Sequence, residues 1–241
     1  DLLGVSNGAA VGAALAILLN SNLWVVQGFA LIGGILAVSI TVLIPRLVGQ
    51  GGTLILVLSG IIISGFMQAA LGLLKYLADP DSQLQSTVYW QLGSIAKLDI
   101  PSLLAALPMM IIGFIILIFF RWHLTIMSLG GQTAASQGIN IERERLVIIL
   151  AATLLTAGAV CLAGTIGWIG LVVPHIARRL IGDNARFALP LAAIFGAAFL
   201  LVIDTLARTM SAGEIPLSIL TGFIGTPVFI YILAHRKDLI Q

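Results

Sequence analysis

Leu23–Ile44 reads LWVVQGFALIGGILAVSITVLI, and Thr53–Leu74 reads TLILVLSGIIISGFMQAALGLL. Neither run contains a charged residue. A hydrocarbon core about 30 Å thick is crossed by about 20 apolar residues in a helix, and each run supplies them. Ser102–Phe120, Leu146–Gly164, Phe187–Leu206 and Pro216–Ala234 meet the same requirement or come close. Val5–Leu19 is shorter, and Thr165–Ile181 is broken by Pro174 and charges. Hydrophobic residues make up 59% of the 241 and charged residues 9%, against about 25% charged in a soluble domain. Too few charges remain to cover a water-facing surface. The expected fold is all-α, a polytopic transmembrane helical bundle with about eight spans, forming one transmembrane domain over 1–241.

An even number of spans puts both termini on one side. With cytoplasmic termini, the inner segments hold Arg46, Arg121, Arg143, Arg145, Arg178, Arg179, Arg186, Arg236 and Lys237. The outer ones hold only Lys75, Lys97 and Arg208. That asymmetry follows the positive-inside bias and predicts a cytoplasmic C-terminus. The net charge of +2 therefore reflects topology and gives no reason to invoke nucleic acid. Cys161 is alone within an apolar run, so no disulfide framework exists, and it reads as a small packing residue. The chain opens at Asp1 almost directly into an apolar stretch, which reads as a piece of a longer protein lacking its N-terminus.

Many of the 26 glycines sit inside spans: Gly8, Gly12, Gly33, Gly34, Gly60, Gly65, Gly158 and Gly196. Small residues let membrane helices approach closely where no hydrophobic force draws them together, so tight packing is the first reading. Ser59, Gly60, Ser64 and Gly65 form the alternative, a substrate path. The outer segment QLQSTVYWQLGSI (83–95) carries Tyr89 and Trp90 and reads as an interfacial helix. The inner segment SLGGQTAASQG (128–138) reads as a short helix bounded by glycines. Docking to a soluble partner and a plain solvated connection both remain open for it.

Chemistry-bearing motifs are weak. Gly4-Val5-Ser6-Asn7-Gly8 matches G-x-S-x-G, and His175 and Asp204 complete a nominal triad. That nucleophile needs a strand–turn–helix elbow, however, and Ser6 opens a membrane helix. Gly164, Gly167 and Gly170 lack the βαβ unit of a dinucleotide site, and none of the lysines follows a glycine as in a phosphate loop. No metal-ligand cluster is present, and His175 reads as a hydrogen-bonded helix-end residue. Asp204 and Arg208 lie four apart on one face near the outer end of a span. They are either a functional charge pair or a self-neutralising one. Glu214 follows, ahead of Pro216, and that proline suits the first turn of the last helix.

In order along the chain, DLLGVSNGAAVGA (1–13), VYWQLGS (88–94), SLGGQTAASQG (128–138), GTIGWIGLVVPHIARRLIG (164–182), IDTLAR (203–208) and GEIPLSILTGFIGTPVFIYIL (213–233) resemble the permease subunit of the iron-siderophore/vitamin B12 class of ABC importers, the FecCD family. The resemblance covers essentially the whole chain. It implies a fold of about ten helices, of which the first two, and an outer Leu-Pro-Arg docking segment with them, are missing here. It further implies a dimer of permease subunits, a homodimer in the simplest case, with the translocation path between them in the bacterial cytoplasmic (inner) membrane. ATPase subunits lie inside, and a periplasmic or surface-anchored substrate-binding protein docks outside. The chain itself is then not an enzyme and binds no cofactor or metal; ATP is used by the partner subunit.

Carried over residue by residue, the resemblance makes Leu129, Gly130, Ala134 and Gly138 the ATPase-coupling loop. Arg208 and Glu214 become the binding-protein docking residues, and Gly51, Gly52 and Thr53 the inner gate. This chain departs from the family pattern where Gly131-Gln132 stands for a usual acid and Gln137 for Leu. It also has Thr165 where Pro is common and Trp168 where Phe is common. A secondary transporter is the alternative function. Such folds carry midplane charges and matched broken helices, and this chain has few of the former and no evident internal repeat. An intramembrane serine hydrolase is the remote one.

Overall fold

The computed structural model describes residues 2–49, 52–96, 98–182, 184–211 and 213–234. Expectations that fall on Gly51, Lys97, Arg236 and Lys237 lie outside them. Among the described residues the chain forms helices and no strand: α1 (Val5–Leu18), α2 (Leu23–Val48), α3 (Thr53–Leu77), α4 (Gln83–Leu92), α5 (Ile100–Ser128), α6 (Gly131–Ser136), α7 (Ile141–Ala163), α8 (Ile169–Ile181), α9 (Ala185–Thr209) and α10 (Leu217–Ala234).

Five of the eight expected segments, α2, α3, α5, α7 and α9, are long and apolar enough to cross a membrane, the shortest having 23 residues. At 1.5 Å per residue even that one reaches about 35 Å. The remaining three are shorter, with 14 residues in α1, 13 in α8 and 18 in α10. Polar side chains set several helix starts. Asn22 Oδ1 accepts from the Val25 N–H at 3.0 Å at the start of α2, and Asn140 Oδ1 accepts from Arg143 N–H at 3.1 Å at the start of α7. Glu142 and Glu144 then occupy the first turn of α7, where carboxylates complement the helix dipole.

The chain divides into two compact units, Asp1–Leu117 with Arg145–Thr165 and Ile118–Glu144 with Ile166–Gln241. In the first, α1 is buried on several faces. Ala9, Ala13 and Ala16 pack with Val26, Ala30, Val160 and Cys161, Ala10 and Ala14 with Leu71, and Val5 with Val38 and Ala157. A Cβ on Gly12 would overlap the Phe29 carbonyl oxygen, and Cβ atoms on Gly8 and Gly33 would each overlap the other's carbonyl. The backbones of α1 and α2 therefore touch. A helix of alanine and glycine, too short to span alone, is stable here because neighbours enclose it at backbone contact.

The expected interfacial helix is present as α4, but its aromatics divide. Tyr89 is exposed, while Trp90 packs on the Ala9 and Ala10 clusters. Gln83 Nε2 donates to the Leu18 carbonyl at 3.1 Å and to Asn20 Oδ1 at 3.2 Å. Trp90 is thus part of the unit's packing.

The expected run Thr165–Ile181 is not continuous helix. A Cβ on Gly164 would overlap the Trp90 carbonyl oxygen. The Thr165 hydroxyl donates to the Gln91 carbonyl, and the Ser94 N–H donates to the Ala163 carbonyl at 2.9 Å. These cross-chain bonds satisfy the backbone where the helix stops, the condition for irregular chain in an apolar environment. Helix resumes only after Trp168, whose φ is +69°.

In the second unit, Val172, Val173 and Ala177 are the buried residues of α8. Ile203 and Ala207 of α9 and Leu217 and Leu220 of α10 are buried as well. A Cβ on Gly225 would stand 2.8 Å from the Trp168 Cβ, so the glycine leaves room for the indole.

Candidate functional site

The loop between α5 and α7 carries α6, six residues long. Gly130 precedes it at φ +113°, and Gly138 follows at φ +77°, conformations that residues with a Cβ rarely adopt. Its end is a Schellman closure. The Gly138 N–H donates to the Ala135 carbonyl at 3.0 Å, and the Ile139 N–H to the Ala134 carbonyl at 3.1 Å. Ala134 is fully buried, whereas Thr133, Ala135, Ser136 and Gln137 are exposed and Leu129 is 69% exposed. Of the expected coupling residues, Ala134 therefore packs inward while Leu129 and Gly138 are open. Among the described side chains of α6 the exposed ones, Thr133, Ala135 and Ser136, are small and uncharged.

Two ties brace the ends of that loop. His123 Nδ1 of α5 lies 3.1 Å from Glu144 Oε2 of α7, and His123 packs edge-on against Phe120 with ring centroids 5.4 Å apart. Thr125 Oγ1 donates to Asn184 Oδ1, just before α9, at 3.3 Å. Sequence reasoning passed over His123 and Glu144, because a contact across a loop has no spacing signature.

A second polar cluster ends α9. Arg208 lies on the face that also carries Asp204, and the two are hydrogen-bonded, with Glu214 beside them. Glu214 sits before α10, ahead of Pro216, as expected. The Ile215 N–H bonds back to the Ala207 carbonyl at 3.4 Å, and α10 begins only after Pro216, which has no N–H to offer.

The expected path residues separate. Ser59 is buried and donates to the Ile55 carbonyl at 2.8 Å. A Cβ on Gly60 would overlap the Leu2 carbonyl oxygen, and Ser64 Oγ lies 3.1 Å from where Gly4 would carry a Cβ. Residues 2–4 thus lie against Gly60 and Ser64, a packing arrangement. Gly65 faces open space. Gly52 and Thr53, both exposed, are the N-cap and first residue of α3.

A cavity of about 660 Å³ opens in the first unit where α1 ends and α2 begins, beside α4 and the end of α7. Asn20, Ser21, Gln27, Gln83, Ser86 and Tyr89 contribute polar groups, and no charged residue lines it. Gln27 is only 8% exposed. The sequence carried no sign of this cavity.

Two members of the nominal triad, His175 and Asp204, are engaged with other groups. Ser6 lies in the first turn of α1. The His175 Nδ1–H donates to the Leu171 carbonyl at 2.7 Å, where a catalytic triad requires a carboxylate. Asp204 is engaged by Arg208. Among the described residues no group of three or more His, Cys, Asp or Glu could hold a metal ion. What the helices themselves define is a protein of the membrane-embedded class, with five of them long and apolar enough to cross a bilayer.

The comparisons with known proteins narrow that class. The model of the FecCD transport family matches residues 1–235, and the chain belongs to that family. It is similar to the hemin transport system permease protein HmuU of Yersinia pestis, 35% identical over 244 residues that cover 98% of this chain and 72% of that one. It is similar also to the molybdate import system permease protein MolB of Haemophilus influenzae, 34% identical over 95% of this chain and 68% of that one. The cobalamin import system permease protein BtuC of Halobacterium salinarum is 34% identical over 98% of this chain and 64% of its own. Among solved structures, an inward-facing metal-chelate type ABC transporter superposes with a TM-score of 0.91 at 33% identity, over 97% of this chain and 74% of that one. These are subunits of ABC importers and not themselves enzymes. Family members work with ATPase and substrate-binding subunits, and this chain, like them, is an integral membrane protein.

Proposed function

We propose that this chain is the permease subunit of an ATP-driven importer whose cargo is an iron-siderophore, haem, cobalamin or similar metal chelate. Two copies form the translocation path between them. The observation that carries the reading is family membership over nearly the whole chain, together with a structural match to a metal-chelate transporter. Relatives named for haem, molybdate and cobalamin stand at 35%, 34% and 34% identity, so identity favours none of these cargoes. The binding protein supplies that discrimination.

Within this reading α6 seats in a cleft of the ATPase subunit, with Leu129, Gly130, Ala134 and Gly138 shaping the loop. Arg208 and Glu214 meet the substrate-binding protein. Gly51, Gly52 and Thr53 form the inner gate, and Gly65 faces the path. The chain binds no cofactor; ATP is consumed in the partner. The protein lies in the cytoplasmic membrane with its C-terminus inside, the side the arginine distribution favours.

The test is uptake into proteoliposomes holding the permease with its ATPase and binding proteins, offered a panel of ferric siderophores, haem and cobalamin. Vanadate-sensitive uptake of one chelate, absent without ATP, is the expected result. Uptake that ignores ATP and collapses with an uncoupler overturns the reading.

A further inference from the structure

The coupling helix is joined to its neighbours through two glycines. With Gly130 at φ +113° and Gly138 at φ +77°, its connections are soft. A push on α6 reaches the long helices only if their ends are held together at the base of the loop. One polar side-chain contact does that. His123 Nδ1 and Glu144 Oε2 are 3.1 Å apart, and both atoms are closed to solvent with no hydrogen-bond partner elsewhere. His123 lies near the end of α5 and Glu144 in the first turn of α7, so the contact bridges the two helices that carry the loop.

We propose that the His123–Glu144 contact is the strut through which motion of α6 is transmitted into α5 and α7, with His123 and Glu144 acting as positioning residues for transport. The proposal rests on the reading of α6 as the ATPase-coupling element. Coupling of this kind needs a rigid element with discrete arrangements. A tied pair of helix ends is such an element, and two helix ends joined only through glycines are not. The contact is also mutual. Removing either partner leaves the other's buried atom unsatisfied, so the pair behaves as a unit. The Thr125–Asn184 bond on the same end of α5 braces the strut from a third element, the start of α9.

The experiment uses the whole importer in proteoliposomes and reads substrate moved per ATP hydrolysed, alongside complex assembly and thermal unfolding. His123→Ala and Glu144→Gln should each lower the transport-to-hydrolysis ratio about fivefold, the low end of ordinary site-to-site coupling, in complexes that still assemble. The double variant should be no worse than either single one, and His123→Lys, which keeps a nitrogen donor beside Glu144, should recover most of the ratio. An unchanged ratio, additive losses in the double variant, or a loss that only follows reduced assembly would each overturn the strut. Ala135→Trp, on the exposed face of α6, separates the two ideas. If it uncouples while the His123 variants do not, the strut alone is wrong. If it leaves coupling intact, the assignment of α6 itself fails.

Discussion

Arg208 holds Asp204, one helical turn back, by two hydrogen bonds: Nε to Oδ2 at 2.9 Å and Nη2 to Oδ1 at 3.2 Å. Its remaining terminal nitrogen stands 3.9 Å from Glu214. The Arg208 side chain is 45% exposed, so the cluster lies where a partner can reach it. One cation shared by two carboxylates leaves that surface with an excess negative charge. Asp204 therefore competes with any acidic group that a docking protein brings to Arg208.

Arg208→Glu should slow association of the binding protein about tenfold at low salt, with the difference shrinking as salt rises. Asp204→Asn, which releases Arg208, should speed it. Surface-binding kinetics at two ionic strengths check both. If Asp204→Asn with Arg208→Gln docks and transports normally, Arg208 is only a structural partner of Asp204.

Ala134 and Ala135 are neighbours with opposite environments, the first buried and the second exposed. Ala134→Trp should displace α6 and lower both thermal stability and coupling, because overpacking costs about 1–3 kcal/mol. Ala135→Trp should leave the unfolding temperature unchanged and weaken ATPase binding. Equal effects at the two positions would contradict the observed orientation of the helix.

Gly12 and Gly28 make a second contrast. A Cβ on Gly12 would overlap the Phe29 carbonyl, whereas one on Gly28 meets nothing within 4 Å. Gly12→Ala should force α1 and α2 apart at a cost of about 1–3 kcal/mol, read as a lower unfolding temperature in detergent. Gly28→Ala should be neutral or slightly stabilising, since alanine is the better helix former.

Thr53 opens α3 and is exposed. Cysteines placed there in the two subunits should cross-link in one nucleotide state and not in another. Cross-linking that is the same in every state would make residues 51–53 a plain turn.

Much of the fold was legible because membrane spans are written in composition: a run such as Thr53–Leu74 has few alternatives to a helix. The short helix α6 could be read from its bounding glycines, and the Asp204–Arg208 pair from its four-residue spacing. Other features left no mark. Ser59 and Gly60 sit in a span as path residues would, yet Leu2 covers Gly60. Trp90 looks like an interfacial anchor, yet it packs on the alanines of α1. Local pattern does not say which face of a uniformly apolar helix meets protein and which meets lipid, because both surroundings are apolar.

The sequence by itself determined that this chain is helical, embedded in a bilayer and a member of one transporter family, since hydropathy and ordered motifs are local properties. Tertiary structure alone decided that a 14-residue helix of alanine and glycine is enclosed by its neighbours. It alone decided that helix stops after Ala163 against the carbonyls of Trp90 and Gln91, and that His123 meets Glu144 across the loop that carries α6. Each depends on backbone and side-chain atoms brought together from distant parts of the chain, where close packing and the pairing of buried polar groups, and not local propensity, set the free energy.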